Sequence, residues 1–264
     1  MARTIVITSG KGGVGKTTVC ANLGFALASL KLKTVLLDVD FGLNNLDVVM
    51  GVENKIVYDI VDVIEGKCRA KQALIQDFFN PNLYILPSHH AHSFYKIDAE
   101  KINTVLNQLH DSFDYILIDC PAGIDIGFHR AVKNATEAII VTTPHLSAIR
   151  DADKVASVLH NYNLQAVHLV VNRARGDLML NGDSLSDVVI ADYLKMSLVG
   201  VVPEDDNVAT TLLKGGAIAK NCDAQQAFKM LANSLHNGNV TLFDCTKKYK
   251  GLIGSIKQKM RKVV

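Results

Sequence analysis

The sequence predicts an α/β chain built on a doubly wound, mostly parallel sheet with helices on both faces, and two patterns carry that expectation. Short apolar runs rich in Val, Ile and Leu recur along the 264 residues, at 4–8, 34–38, 83–86, 115–119, 138–142, 167–171 and 198–202. They are continuous rather than alternating, as strands covered on both faces are. Helix-like stretches at 16–30, 98–110, 126–135, 147–161 and 185–194 separate most of these runs, and 207–214 and 224–235 follow the last one. Strand and helix in alternation mean βαβ units, which pack as a parallel sheet between two helical layers.

Composition fits that class. Hydrophobic residues make up 48% of the chain and charged residues 20%, enough apolar side chains for a sizeable core. A formal net charge of only +2 argues against a chain that coats nucleic acid through its overall charge, so no nucleic-acid partner is expected and any basic function must be local. The five cysteines form no C-x-x-C pair, which points away from a disulfide framework or zinc site and towards a reducing compartment. No secretion signal is read at the start, and no apolar run approaches the ~18–20 residues of a membrane span. Residues 1–240 read as one domain and 241–264 as a joint and a functional tail.

The first strand is followed by Gly10-Lys11-Gly12-Gly13-Val14-Gly15-Lys16-Thr17 and then by Thr18 at the opening of a helix. This matches G-x-x-x-x-G-K-[ST] in the strand–loop–helix setting that a phosphate-binding loop requires. Glycines let backbone N–H groups turn in around phosphate oxygens, and the helix N-terminus adds its positive dipole end. Lys16 suits the β- and γ-phosphates, and the Thr17 hydroxyl suits Mg²⁺. Lys11 is unusual, since an ordinary phosphate loop needs no lysine there.

The second strand ends in Asp38 and Asp40, and the fourth in Asp119 followed by Cys120-Pro121-Ala122-Gly123. Ligands of open α/β sheets sit at the carboxyl ends of strands, so an Asp after four apolar residues is placed to meet Mg²⁺. Asn172 and Arg173 follow a later strand, and Pro203-Glu204-Asp205 follows the last. The cluster His89-His90-Ala91-His92 reads as a polar loop rather than a metal site.

After Asp244 no acidic residue occurs, while Lys or Arg occurs seven times in twenty positions. Placed on a helix at 100° per residue, Leu252, Ile253, Ile256, Met260, Val263 and Val264 share an arc of roughly 120°, with Lys257, Lys259, Arg261 and Lys262 outside it. A basic amphipathic C-terminal helix of this kind suits an anionic membrane surface. Each basic residue contributes about 1 kcal/mol there, so one short copy binds marginally and two linked copies bind far more tightly.

The run KGGVGKTT resembles the deviant Walker A motif of the MinD/ParA family of P-loop ATPases, and the resemblance covers essentially the whole chain. Within that family the segments Asp38-Val39-Asp40-Phe41-Gly42-Leu43-Asn44-Asn45 and Ser147-Ala148-Ile149-Arg150-Asp151-Ala152-Asp153-Lys154 are most similar to the branch that positions the cell-division site. The resemblance implies ATP and Mg²⁺ as cofactors and a homodimer in the ATP state. It gives Lys11 a role across the dimer interface at the partner's nucleotide. It makes Asp119 the Mg²⁺-holding carboxylate with Asp38 in support, assigns Asp40 to the attacking water, and has Gly123 approach the γ-phosphate. The segments at 172–173 and 203–205 would hold adenine. Partners implied are a division inhibitor (MinC-like) and a topological-specificity factor (MinE-like), with Asn45, Ser147, Asp151 and Asp153 as contact residues. The expected location is cytoplasmic, reversibly attached to the inner face of the cell membrane. A DNA-segregation or flagellar-placement ATPase of the same family is the alternative.

Overall fold

A computed structural model of the protein describes residues 1–42, 45–88, 97–214, 221–251, 254 and 258, with backbone alone at 212–214. Among them lies one eight-stranded sheet of order β3-β4-β2-β5-β1-β6-β7-β8. Its strands are β1 (Arg3–Thr8), β2 (Thr34–Asp38), β3 (Ile75–Gln76), β4 (Leu83–Leu86), β5 (Tyr115–Asp119), β6 (Glu137–Thr142), β7 (Ala166–Ala174) and β8 (Ser197–Pro203). Every pairing is parallel except that of β3 with β4. All seven expected strands are present. The eighth, β3, has two residues at the sheet edge, too short for periodicity to reveal.

Successive residues of each central strand face opposite sides of the sheet, and both sides are covered. Val6, Val35, Leu37, Ile116, Ile118, Ile140 and Val171 join one core with α5 (Ala99–Leu109), α6 (Ile126–Val132) and α7 (Leu146–Leu159). Ile5, Ile7, Leu36, Leu117, Ile139 and Val170 join the other with α1 (Lys16–Ser29) and α11 (Asp223–Asn237). This two-sided burial is the reason the strands carry no polar alternation.

The segment between β2 and β4, left unassigned by the sequence, holds the short helices α2 (Leu46–Met50), α3 (Ile60–Ile64) and α4 (Ala70–Ala73). Asp59 caps α3, accepting from the N–H groups of Val61 and Asp62 at 2.8 and 3.1 Å. Further along come α8 (Gly176–Leu180), also unread in the sequence, then α9 (Asp187–Leu194) and α10 (Asp206–Lys214).

At the end of the sheet away from the phosphate loop, Arg3 ties three elements together. Its guanidinium donates to both Glu137 oxygens at 2.8 and 2.7 Å, to the Tyr115 hydroxyl at 3.0 Å and to the Leu235 carbonyl at 2.6 Å. Burial alone would raise the Glu137 carboxyl; the bonds from Arg3 and then His168 outweigh it and hold the group at about 2.

Residues 241–250, expected as a joint, lie on the domain. Cys245 and Tyr249 are buried, and the Thr241 N–H donates to the Ser234 hydroxyl at 3.0 Å. The tail residues Leu252, Ile253, Ile256, Lys257, Lys259, Met260, Arg261, Lys262, Val263 and Val264 lie outside the described residues, as do Leu43, Asn44 and the histidine stretch 89–92. Among the described residues no helix is long and apolar enough to cross a membrane.

Candidate functional site

The strand order reverses about β1, whose neighbours β5 and β6 lead to opposite halves of the sheet. The loops leaving β1, β2 and β5 therefore converge at the carboxyl edge of the sheet, where a doubly wound fold opens its ligand crevice. The candidate phosphate and metal residues sit there.

The loop 10–15 runs from β1 straight into α1. Gly15 stands at the helix N-cap with φ of 91°, a left-handed conformation open to glycine. A Cβ on Gly15 would also fall 2.4 Å from the Asn172 amide nitrogen. That amide donates to the Val14 carbonyl at 2.8 Å, so β7 clamps the loop directly. Ser9 adds a second tie, its hydroxyl donating to the Lys11 carbonyl at 3.0 Å. The first turn of α1 contains no acidic residue, leaving its positive dipole end for an anion.

Asp38 and Asp119 end neighbouring strands at matching register, and both are buried. Asp119 accepts from the Thr17 hydroxyl and feels the charge of Lys16. Burial pushes its carboxyl up to about 6 against those two lowering influences. Burial, and then the charge of Asp119, pushes Asp38 well above the usual carboxylate range. Asp38 Oδ1 accepts from the Asp40 N–H at 2.9 Å, yet Asp38 Oδ2 and Asp119 Oδ1 are buried without a hydrogen-bond partner. Two orphaned carboxylate oxygens beside a threonine hydroxyl are the donor set of a hard divalent cation, so these residues fit Mg²⁺. Asp40 is half-buried at the mouth of the same cluster.

Two cavities flank the loop. One of about 220 Å³ is lined by Gly15, Thr18, Asn172, Arg173, Pro203, Glu204 and Asp205 together with Val208, Ala209 and Phe228. The strand-end residues expected to hold adenine thus share one pocket. The structure gives two of them a first task of their own. Asn172 has committed its amide to Val14, leaving its carbonyl oxygen as the group it could offer a base. Asp205 accepts from Asn207 at 3.0 Å and from the Ala224 N–H at 3.1 Å, capping the helices that form the pocket wall. Sequence reasoning missed Val208, Ala209 and Phe228, because apolar helix residues look alike in sequence whether or not they line a pocket.

The second cavity, of about 620 Å³, is lined by residues that include Lys11, Gly12, Gly13, Val14, Thr143, Pro144, His145, Ser147, Arg173, Arg175 and Glu204. Lys11 is exposed within it, and its ammonium donates to the Ser147 hydroxyl at 3.2 Å. The unusual lysine is therefore held by the first turn of α7, the helix singled out for partner contact. Asp151 pairs with Lys154 at 3.0 Å, and its main chain packs against Gly10. Asp153 is exposed, and Asn45 is exposed at the start of α2. No acidic residue lies in the first turn of α7, so neither aspartate serves to cap it. Gly123 has φ of 88°, but its N–H donates to the Ser9 carbonyl at 2.9 Å rather than standing free for a phosphate.

Comparison with known proteins agrees with this geometry. The family described as "AAA domain" matches residues 2–169. The septum site-determining protein MinD of Bacillus subtilis is 44% identical over 261 residues, covering 97% of both chains. The solved MinC:MinD cell division protein complex of Aquifex aeolicus superposes with a TM-score of 0.85 at 41% identity, covering 91% of this chain and 98% of that one. MinD of Pyrococcus horikoshii, solved with Mg-ADP, gives 0.80 at 33% identity over 89% of this chain and 96% of that one. With a phosphate loop, an orphaned carboxylate pair and relatives of this identity over nearly the full length, the chain belongs to the MinD family of P-loop cell-division ATPases.

Proposed function

We propose that the protein is an ATP-dependent, dimerising, membrane-associating ATPase that positions the division site by recruiting a division inhibitor to the membrane, its hydrolysis stimulated by a topological-specificity partner. The observation that carries the catalytic part is the convergence of Lys16, Thr17, Asp38 and Asp119 on one edge of the sheet with two carboxylate oxygens left unpartnered. The relative solved as a MinC:MinD complex supports the inhibitor, and the relative solved with Mg-ADP supports the nucleotide and metal.

The reaction is ATP + H₂O → ADP + phosphate, and catalysis is chiefly positioning and charge stabilisation. Loop N–H groups and Lys16 cradle the β- and γ-phosphates. Thr17 and Asp119 would hold Mg²⁺, with Asp38 in support, and the ion would supply charge neutralisation on the phosphate oxygens. Asp40 orients the attacking water, and Lys11 reaches the nucleotide of the second protomer. Gly10, Gly12, Gly13, Val14, Gly15 and Thr18 complete the cradle, and the 220 Å³ pocket takes the base, with Arg173 against its face. Asn45, Ser147, Asp151 and Asp153 form the partner-contact surface.

The proposed boundary at 240/241 sets off the joint, whose residues 241–250 pack on the ATPase domain, and the tail beyond it. Two tails on one dimer make the second membrane contact intramolecular, so ATP sets membrane affinity and hydrolysis releases it. Co-sedimentation with anionic vesicles tests this, using the full chain and a chain ending at Lys250, with ATP or ADP. ATP-dependent pelleting lost on truncation is expected. Lys16→Ala should abolish both ATP-dependent dimers and pelleting; equal pelleting with ATP and ADP contradicts the switch, and salt-sensitive DNA binding would favour the segregation alternative.

A further inference from the structure

The turn between β3 and β4 holds its apolar side chains out in solvent and folds its polar ones inward. Phe78 and Phe79 are 81% and 69% exposed, whereas Asp77 and Asn80 on either side of them are buried. The inward groups build the turn. Asp77 accepts from the N–H groups of Phe79 and Asn80 at 2.8 and 2.9 Å, and the Asn80 side-chain oxygen accepts from the Asn82 N–H at 3.1 Å. The Asn80 amide donates to the Ser29 hydroxyl at 3.4 Å and the Asn82 amide to the Ala28 carbonyl at 3.5 Å, which seats the turn on the end of α1. The two rings meet edge to face with centroids 5.2 Å apart. Because bonded, buried polar groups fix the backbone, the rings are presented outward rather than left to collapse onto the core.

Cations stand around the tip. The Lys55 ammonium lies 5.8 Å from the centre of the Phe78 ring. Lys31 and Lys33, both exposed, follow the end of α1 on which the turn sits, and the Asn82 carbonyl accepts from the Thr34 N–H at 2.8 Å beside them. Lys33 and Lys71 line a hollow of about 520 Å³ together with Gln76 of β3 and Tyr84 of β4. The exposed acidic side chains of the same segments are Glu53, Asp111 and Asp114, and Asp114 accepts from the Lys33 N–H at 2.8 Å.

A protruding pair of rings suits a soft interface that parts around it. The rings enter the boundary between headgroups and acyl chains, while lysine stems run beside them and the ammonium groups stay with anionic headgroups. We propose that the Phe78–Phe79 turn is a membrane contact carried by the ATPase domain itself, separate from the tail, and that its partner is an anionic lipid surface. Lipid as the partner rests on the membrane association proposed above. The turn leads into the amino end of β4, which runs parallel to β2, so it lies at the edge of the sheet opposite the phosphate loop. One pair of rings binds weakly alone and adds to affinity once another contact holds the protein at the surface.

The chain contains no tryptophan, so Phe79→Trp puts a single reporter at the tip. The full chain carrying it is mixed in MgATP with vesicles of phosphatidylglycerol or of phosphatidylcholine, and emission, quenching by brominated lipid and co-sedimentation are read together. Blue-shifted, bromine-quenched emission with phosphatidylglycerol, and neither with phosphatidylcholine, is expected. In the otherwise unaltered chain, Phe78→Ser with Phe79→Ser should weaken binding to phosphatidylglycerol vesicles ~10-fold or more, and Lys55→Ser about 5-fold. Thermal midpoint and vesicle-free ATP hydrolysis should stay at the parent values. Pelleting with unshifted, unquenched emission overturns this contact and leaves membrane binding to the tail. Parental affinity in the double serine variant overturns it as well. Neither pelleting nor a spectral change refutes the membrane association itself and this contact with it. A blue shift that grows with protein concentration in the absence of lipid overturns the lipid partner in favour of a second copy of the chain.

Discussion

Gly10→Ala isolates the packing of the phosphate loop on α7. A Cβ on Gly10 would sit 2.2 Å from the Asp151 carbonyl oxygen, 2.3 Å from its carbon and 2.7 Å from its Cβ. Ordinary contact needs about 3.5 Å, so loop and helix must separate by more than ~1 Å. The obstructing atoms are helix backbone, which cannot swing aside as a side chain can. Overpacking of this kind costs about 1–3 kcal/mol of stability, or roughly 2–10 °C in thermal midpoint for a chain of this size. The loop N–H groups move with the backbone. Losing two charge-assisted bonds to phosphate, each worth about 1.5–3 kcal/mol, weakens nucleotide binding by at least ~100-fold. Gly12→Ala is the control, because a Cβ there meets nothing within 4 Å. Thermal denaturation and titration with a fluorescent ATP analogue read both effects. The reasoning fails if Gly10→Ala matches the parent in both, or if Gly12→Ala destabilises the fold as much.

Asn172→Ala removes the 2.8 Å tie to the Val14 carbonyl inside the fold, so stability should fall by about 1–3 kcal/mol and the nucleotide Kd should rise at least ~10-fold in the same titration. Glu137→Gln tests the Arg3 cluster. Its carboxyl is held at about 2 against an ordinary 4.5, so its contribution is complete above 4.5 and is lost as pH falls towards 2. The shift corresponds to about 3 kcal/mol, discounted to ~1–2 kcal/mol because the Arg3 partner is partly exposed. Glu137→Gln should lower the midpoint at pH 7 by roughly 2–8 °C and flatten the acid limb below 4.5; an unchanged acid limb contradicts the assignment. Asp38→Asn removes, in magnesium-free protein, the cost of burying this carboxyl next to the charge of Asp119. The metal-free midpoint should rise by roughly 2–6 °C while Mg²⁺-dependent nucleotide affinity falls, and a lowered midpoint without Mg²⁺ would refute the pairing.

The sequence by itself determined the layered α/β architecture, because strands buried on both faces leave continuous apolar runs such as Tyr115–Asp119, and seven of these can be read locally. It also determined the phosphate loop, since a glycine-rich turn between strand and helix is a contiguous requirement, as is an aspartate ending a buried strand. Features set by contact between distant segments were invisible. The two-residue β3 has no period to detect, and short α8 at Gly176–Leu180 has no amphipathic repeat. Only the tertiary structure paired Asp38 with Asp119 across neighbouring strands, set Lys11 against Ser147, tied Asn172 to Val14 and brought Phe228 to the base pocket. It also laid the segment around Cys245 on α8, where the sequence suggested a joint. The physical reason is common to these cases: a local pattern records what each residue needs to bury, and only the folded chain decides which partner, 136 or 158 residues away, supplies it.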